Sequence, residues 1–155
     1  VYEEGNLISD ESVDEIVEKA WSNWCNDSFW MMAPFKIFDP GTTRSLVKDS
    51  LSEDSKVGLM IEYTTGGVTP GDKYLWSLDK DYMPISYKMW VKIIPLGGVE
   101  ATWDDWKVMK GGSKLSTSHK LKAFDLKLNN VQEASHYSEL AYTSDPFEKL
   151  NKKTN

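Results

Sequence analysis

Two adjacent carboxylates, Asp104 and Asp105, stand between Trp103 and Trp106, and they are the residues best placed to do chemistry. Indoles stack on sugar rings and paired carboxylates supply general acid and base, so this constellation points to a hydrolase acting on sugars. The local pattern is that of a strand, however, and adjacent strand residues point to opposite faces. Asp104 and Asp105 therefore share a site only if a bulge interrupts the strand; otherwise one is solvated and the other pairs with a neighbouring lysine. Other chemistries have less footing. His119 and His136 are far apart and lack Cys, Asp or Glu at a metal-ligand spacing, whereas a metal needs three or four convergent ligands. Both are expected as structural or exposed side chains.

Cys25 is the single cysteine, so the chain has no intrachain disulfide, and it reads as a buried small hydrophobe beside Trp24. Gly66-Gly67 and Gly111-Gly112 are turn chemistry, because neither doublet leads from a strand into a helix as a phosphate cradle does. No G-x-S-x-G elbow occurs. Asn26-Asp27-Ser28 matches a glycosylation sequon, a pattern with meaning only in a eukaryotic secretory pathway. No catalytic residue, metal ligand or cofactor motif is assigned.

The elements that must position these residues are clearer than the chemistry. At 155 residues the chain fits one domain, 1–155, with a substantial core. A net charge of -6 and a single arginine, Arg44, among 18 basic residues argue against nucleic acid, which needs clustered cations. No apolar run approaches the roughly 18 residues of a membrane-spanning helix. Residues 1–4 read as the tail of a strand, with a turn at Gly5-Asn6. Ser12 and Glu15 fit a capping box, and Val13, Ile16, Val17, Ala20, Trp21 and Trp24 recur at spacings of three and four. This predicts a helix over 10–24 that lies on a sheet by its apolar stripe.

Residues 28–37 are apolar on both parities and read as a strand covered on both faces, ended by Asp39-Pro40-Gly41. A short strand around 45–47 and a polar loop over 51–56 follow. From Val57 to Leu128 the chain alternates apolar and polar residues through five strands: 57–64, 72–78, 84–93, 99–109 and 115–128. Asp79-Lys80-Asp81 and Lys110-Gly111-Gly112-Ser113 are the plainest turns, and Pro84 opens its strand where a missing N–H is tolerable. Residues 148–155 read as a frayed tail. The short links predict a meander in which sequential neighbours pair.

Four of the seven tryptophans, Trp76, Trp90, Trp103 and Trp106, lie in this run. One short helix is too small to cover the inner faces of five or six strands, so a curved sheet leaves an apolar concavity of the kind that binds apolar ligands. The methionines add deformable lining. Trp30, Met32, Trp76, Met89, Trp90 and Trp106 are the candidate lining residues, although Met89 and Trp90 point oppositely.

Asn26-Asp27-Ser28-Phe29-Trp30, Ala33-Pro34-Phe35-Lys36, Phe38-Asp39-Pro40-Gly41 and Gly97-Gly98-Val99-Glu100-Ala101-Thr102-Trp103 carry a resemblance over roughly residues 20–120. The chain resembles bacterial envelope proteins related to the LolA/LolB lipoprotein carriers. That resemblance implies a curved antiparallel half-barrel plugged by helices, with a cavity for lipid acyl chains, in a Gram-negative periplasm or at the outer membrane. Such half-barrels have several strands before the helix. Here only 1–4 could belong to one, so N-terminal strands are missing or this version is shorter. A truncated half-barrel leaves a free edge that invites a protein partner or a homodimer.

The expected fold is α+β, a curved antiparallel meander of about six or seven strands with the 10–24 helix on its concave face. The expected function is non-catalytic binding of an apolar small molecule or lipid, without cofactor or metal. The alternatives are an interaction module that uses an exposed aromatic face to bind protein or carbohydrate, and a hydrolase using Asp104 or Asp105.

Overall fold

The computed structural model describes residues 2–3, 6–7, 13–48, 55–66, 68, 70–145 and 148. The Ser12 end of the capping box, most of the 51–56 loop and most of the expected tail at 148–155 fall outside the described residues. A two-residue hairpin pairs β1 (Tyr2–Glu3) with β2 (Asn6–Leu7). Helix α1 (Val13–Met32) follows, closed by a 3-10 turn at Ala33–Phe35. The strands are β3 (Thr42–Val47), β4 (Val57–Tyr63), β5 (Lys73–Leu78), β6 (Pro84–Trp90), β7 (Val99–Thr102), β8 (Asp104–Val108), β9 (Lys114–Lys120) and β10 (Asp125–Lys127). They form a five-stranded sheet, β3-β4-β5-β6-β7, and a three-stranded sheet, β8-β9-β10, both antiparallel and neither closed into a barrel.

The helix is longer than its stripe predicts, and the strand expected over 28–37 does not form. Residues 28–32 complete α1 instead. A run that is apolar on both parities suits a covered strand or a buried helix turn equally, and length decides between them. Here the helix already running from Val13 absorbs the run. It stops where Pro34 removes an N–H and its ring disfavours further α geometry.

The face that packs also differs from expectation. Trp21 and Trp24 are 55% and 66% exposed, and Ile16 and Val17 are exposed with them. The last turns hold the helix to the sheet. The Phe29 ring lies 4.9 Å from that of Tyr74, and the Trp30 ring 5.3 Å from that of His119.

Within the five-stranded sheet the inward parity is kept, whereas the expected strand 115–128 is two strands, β9 and β10, because the chain turns back between Lys120 and Asp125. Ile61 of β4, Tyr74 and Trp76 of β5, Tyr87 and Met89 of β6 and Ala101 of β7 are buried on one face. The turns follow their chemistry. Asp79 accepts the amides of Asp81 and Met83 at 2.8 and 2.9 Å, which reverses the chain before Pro84 opens β6. Gly112, at φ 86°, occupies the left-handed position of the β8–β9 hairpin that other residues adopt at a cost.

The expected strand 99–109 is broken into β7 and β8 at Trp103, and this divides the meander into two sheets. The Trp103 amide still donates to Ile85, at 2.8 Å. Asp105 then turns to φ 51°, interrupting the ladder between the pairs Asp104–Ser118 and Trp106–Ser116. Hydroxyls from β9 take up the local carbonyls: Ser116 donates to Asp104 at 2.6 Å and Thr117 to Asp105 at 3.0 Å. The bridge Ala101–Leu121 continues the register of β8 and β9 onto β7, so β9 links the two sheets.

A left-handed strand residue is tolerable for Asp but not for a β-branched side chain. Asp105→Val is therefore expected to lower stability by about 1–2 kcal/mol, with Asp105→Asn close to neutral. Urea denaturation of the two variants is the measurement. Equal stability would mean that residue 105 does not hold this conformation.

Candidate functional site

Between the last turns of α1 and the aromatic face of the five-stranded sheet lies a cavity of about 450 Å³, within the usual range for small-molecule sites. Phe29 and Trp30 form its helical wall, and Tyr74, Tyr87, Met89 and Val91 form a floor in which every residue is buried. The exposed Trp21, Trp24 and Ile93 stand at the mouth. Polar groups gather at one side: Lys36 pairs with Asp39 at 2.6 Å, and Asp72 accepts the amide of Lys92 at 3.1 Å.

The floor is an aromatic mosaic. Tyr63, Tyr74 and Tyr87 succeed one another edge-on, with ring centroids 5.7 and 5.2 Å apart. Burial pushes the Tyr63 and Tyr74 phenols well above their usual range, with the charge of Asp39 adding to the first and of Asp72 to the second. Tyr87 is raised by burial first and by its two tyrosine neighbours next. All three stay protonated, so this wall is neutral, and the Tyr63 and Tyr87 hydroxyls in it are buried.

The candidate lining residues are dispersed. Trp30 and Met89 line the cavity. Trp76, 2% exposed, lies in the core against Tyr87 and Trp103. Trp90 is on the opposite face, with its indole against Gly97 and Gly98. Gly97 has no room for a Cβ there, since one would sit 2.6 Å from that ring. Met32 is exposed at the end of α1 and does not line the cavity. Trp106 donates its indole N–H to the carbonyls of Trp103 and Pro84 at 3.0 and 3.2 Å, stapling β8 to β6.

Tyr74, Tyr87 and Val91 were not among the candidates, although they share the inward parity with Met89 and the signal was present. Phe29 was displaced by the strand assignment. Cys25, expected as a buried hydrophobe, is half-buried on the cavity wall.

Asp104 and Asp105 both border one groove, but the register runs unshifted from Asp104–Ser118 to Trp106–Ser116, so the bulge expected for a shared site is absent from this ladder. The groove is more open than the cavity. Asp104 accepts the Thr102 hydroxyl at 2.6 Å and so buttresses the β7–β8 junction, while Asp105 is exposed. Among the described residues, no three His, Cys, Asp or Glu side chains converge as metal ligands, and no helix is long and apolar enough to cross a membrane.

His119 is wholly buried between the Trp30 and Trp103 rings, with centroids 5.3 and 4.5 Å away. Its Nδ1 lies 3.0 Å from the Thr102 carbonyl, an obligate acceptor, so Nδ1 carries the proton. Nε2 is left bare and has no hydrogen-bond partner among the described residues. Burial lowers its pKa, against the raising influence of the Thr102 and Trp30 carbonyls and of Asp104. Comparison with protein-family models, with curated proteins and with solved structures returns no match to this chain.

The sign of the pH dependence follows. An unfolded histidine titrates near 6.5, and the folded one takes up its proton only at lower pH. The unfolded state therefore binds more protons, and stability falls as pH drops through 6.5. The loss levels off once the folded residue is also protonated. Chemical denaturation between pH 7.5 and pH 5 should show this step in the native chain and its loss in His119→Asn. A step that persists in the variant would assign it elsewhere.

Proposed function

We propose that this chain binds an apolar ligand, a lipid or lipoprotein acyl chain, in the cavity beneath the end of α1, without catalysing a reaction. The observation that carries this proposal is the cavity itself: a floor of buried tyrosine, methionine and valine, an aromatic helical wall, and exposed tryptophans at the entrance. Apolar area leaving water supplies the driving force, at roughly 25 cal/mol per Å² before association costs. The resemblance to the LolA/LolB lipoprotein carriers agrees with this chemistry. On the same proposal the five-stranded sheet is the curved half of a barrel, and the protein works in the periplasm or at the outer membrane of a Gram-negative bacterium.

One observation favours a second function, that of an interaction module. The apolar stripe of α1, from Ile16 and Val17 to Trp21 and Trp24, is uncovered among the described residues. Ile16 and Val17 do not line the cavity, which separates the two functions experimentally. Ile16→Asp with Val17→Asp should leave ligand binding intact, and pull-down with the native chain against this variant reports whether the stripe recruits a protein.

Ligand binding is tested with the neutral fluorophore N-phenyl-1-naphthylamine, titrated and then displaced by phospholipid. Saturable binding is expected. Ser28 lines the cavity from α1, and Ser28→Trp should weaken the probe by about tenfold or more through loss of space. Its unfolding temperature should stay within about 4 °C of the native value, since Ser28 is not in the core. No saturable binding to the native chain, or unchanged binding to Ser28→Trp, would remove the cavity from consideration.

A further inference from the structure

Six buried side-chain polar atoms have no hydrogen-bond partner among the described residues: Tyr63 Oη, Trp76 Nε1, Ser77 Oγ, Tyr87 Oη, Trp103 Nε1 and His119 Nε2. Buried polar groups are paired in the great majority of cases, so each one asks for a cause. Only two of the six, the hydroxyls of Tyr63 and Tyr87, belong to residues of the cavity wall. Tyr87 is 1% exposed, and Tyr74 stands between the two with edge-on ring contacts to both.

We infer that this wall is a recognition site for a neutral hydrogen-bond acceptor, so that the cavity selects uncharged ligands bearing a carbonyl or ether oxygen over pure hydrocarbons and over carboxylates. The inference rests on the cavity being a ligand site and adds the class of ligand. A phenol kept protonated is a donor, and two unpaired donors on one wall are satisfied by an acceptor brought in by an occupant. A carboxylate head is disfavoured, because moving an ion out of water into an apolar cavity costs far more than moving a neutral acceptor there unless a counter-charge meets it. Lys36, the cation on the cavity lining, is already paired with Asp39 at 2.6 Å. A fatty acid anion would thus meet phenol hydroxyls but leave the cost of its own desolvation unmatched. An ester, amide or ketone meets the hydroxyls alone. Both hydroxyls are buried, so the acceptor reaches them by a rotamer-scale shift of side chains, of the kind that binding commonly brings.

The experiment compares three probes of one size: 2-acetylnaphthalene, 2-isopropenylnaphthalene and 2-naphthoate. The first two differ in replacing C=O by C=CH₂, and the third carries the charge. The ketone should bind the native chain roughly tenfold more tightly than the alkene, the worth of a hydrogen bond made to an otherwise unpaired buried donor. The naphthoate should bind more weakly than the ketone. In Tyr63→Phe with Tyr87→Phe the ketone should fall to the level of the alkene, and the alkene should be unaffected. That variant removes two unpaired hydroxyls and keeps both rings, so its unfolding temperature should not drop in the absence of probe.

Equal binding of ketone and alkene by the native chain would overturn the inference while leaving the cavity as an apolar site, with the hydroxyls served by a trapped water. A ketone preference that survives in the double variant, or tighter binding of naphthoate than of ketone, would overturn it too. If none of the three probes binds, the ligand site itself falls.

Discussion

The indole of Trp103 lies 4.5 to 6.1 Å from four other rings, those of His119, Trp76, Tyr87 and Trp106. Trp76 and Tyr87 belong to the five-stranded sheet, Trp106 and His119 to the three-stranded one, and Trp103 sits at the break between them. His119 passes the contact on to Trp30, and hence to α1. Aromatic side chains of this size bury about 150–250 Å² each, so this cluster is a large apolar commitment. The helix depends on it. Its first half exposes the residues that would ordinarily anchor it, and amphipathic helices draw most of their stability from packing. Where Trp30 sits on this cluster decides where α1 sits, and that decides whether there is a cavity.

Dense ring packing has a polar cost. The indole N–H groups of Trp76 and Trp103 and the bare Nε2 of His119 are enclosed without partners among the described residues, whereas Trp106, at the edge of the cluster, finds two carbonyls. The difference is one of position. An indole at the rim can turn its N–H to a strand end, and one in the middle is surrounded by carbon. Beside that tightly filled region lies the cavity, where Val91 and Met89 join the aromatic lining. Filled and empty regions thus share one face of one sheet, and Tyr87 belongs to both.

Much of this was legible in the residues. The period-two pattern from Val57 onward located β4, β5 and β6 and the stretches that hold the later strands, but it ran β7 into β8 and β9 into β10, which pairs back on β9. The glycine, asparagine and aspartate turns placed most of the other ends. The inner parity of Tyr87, Met89 and Val91 marked the floor. Two features were hidden for a physical reason. The segment around Phe29 to Met32 is apolar throughout, so no periodicity distinguishes helix from strand. The break at Trp103 leaves no glycine or proline, because Asp105 adopts the left-handed geometry itself. The candidate lining went astray by weighting residue type over parity: Trp90 is large and aromatic but faces away, and Trp76 faces inward but is packed over by Tyr87 and Trp103.

Every ladder in both sheets joins strands that are neighbours along the chain. Closing such hairpins costs little loop entropy, so a nascent chain emerging N-terminus first can add each strand to the one before it without waiting for distant sequence. The helix is the exception. Trp30 finds its seat on His119 only after nearly ninety further residues have been made. During synthesis α1 therefore precedes the surface it rests on: its contacts with Tyr74 and Tyr87 become available first, and the seat on His119 follows only when β9 has been made.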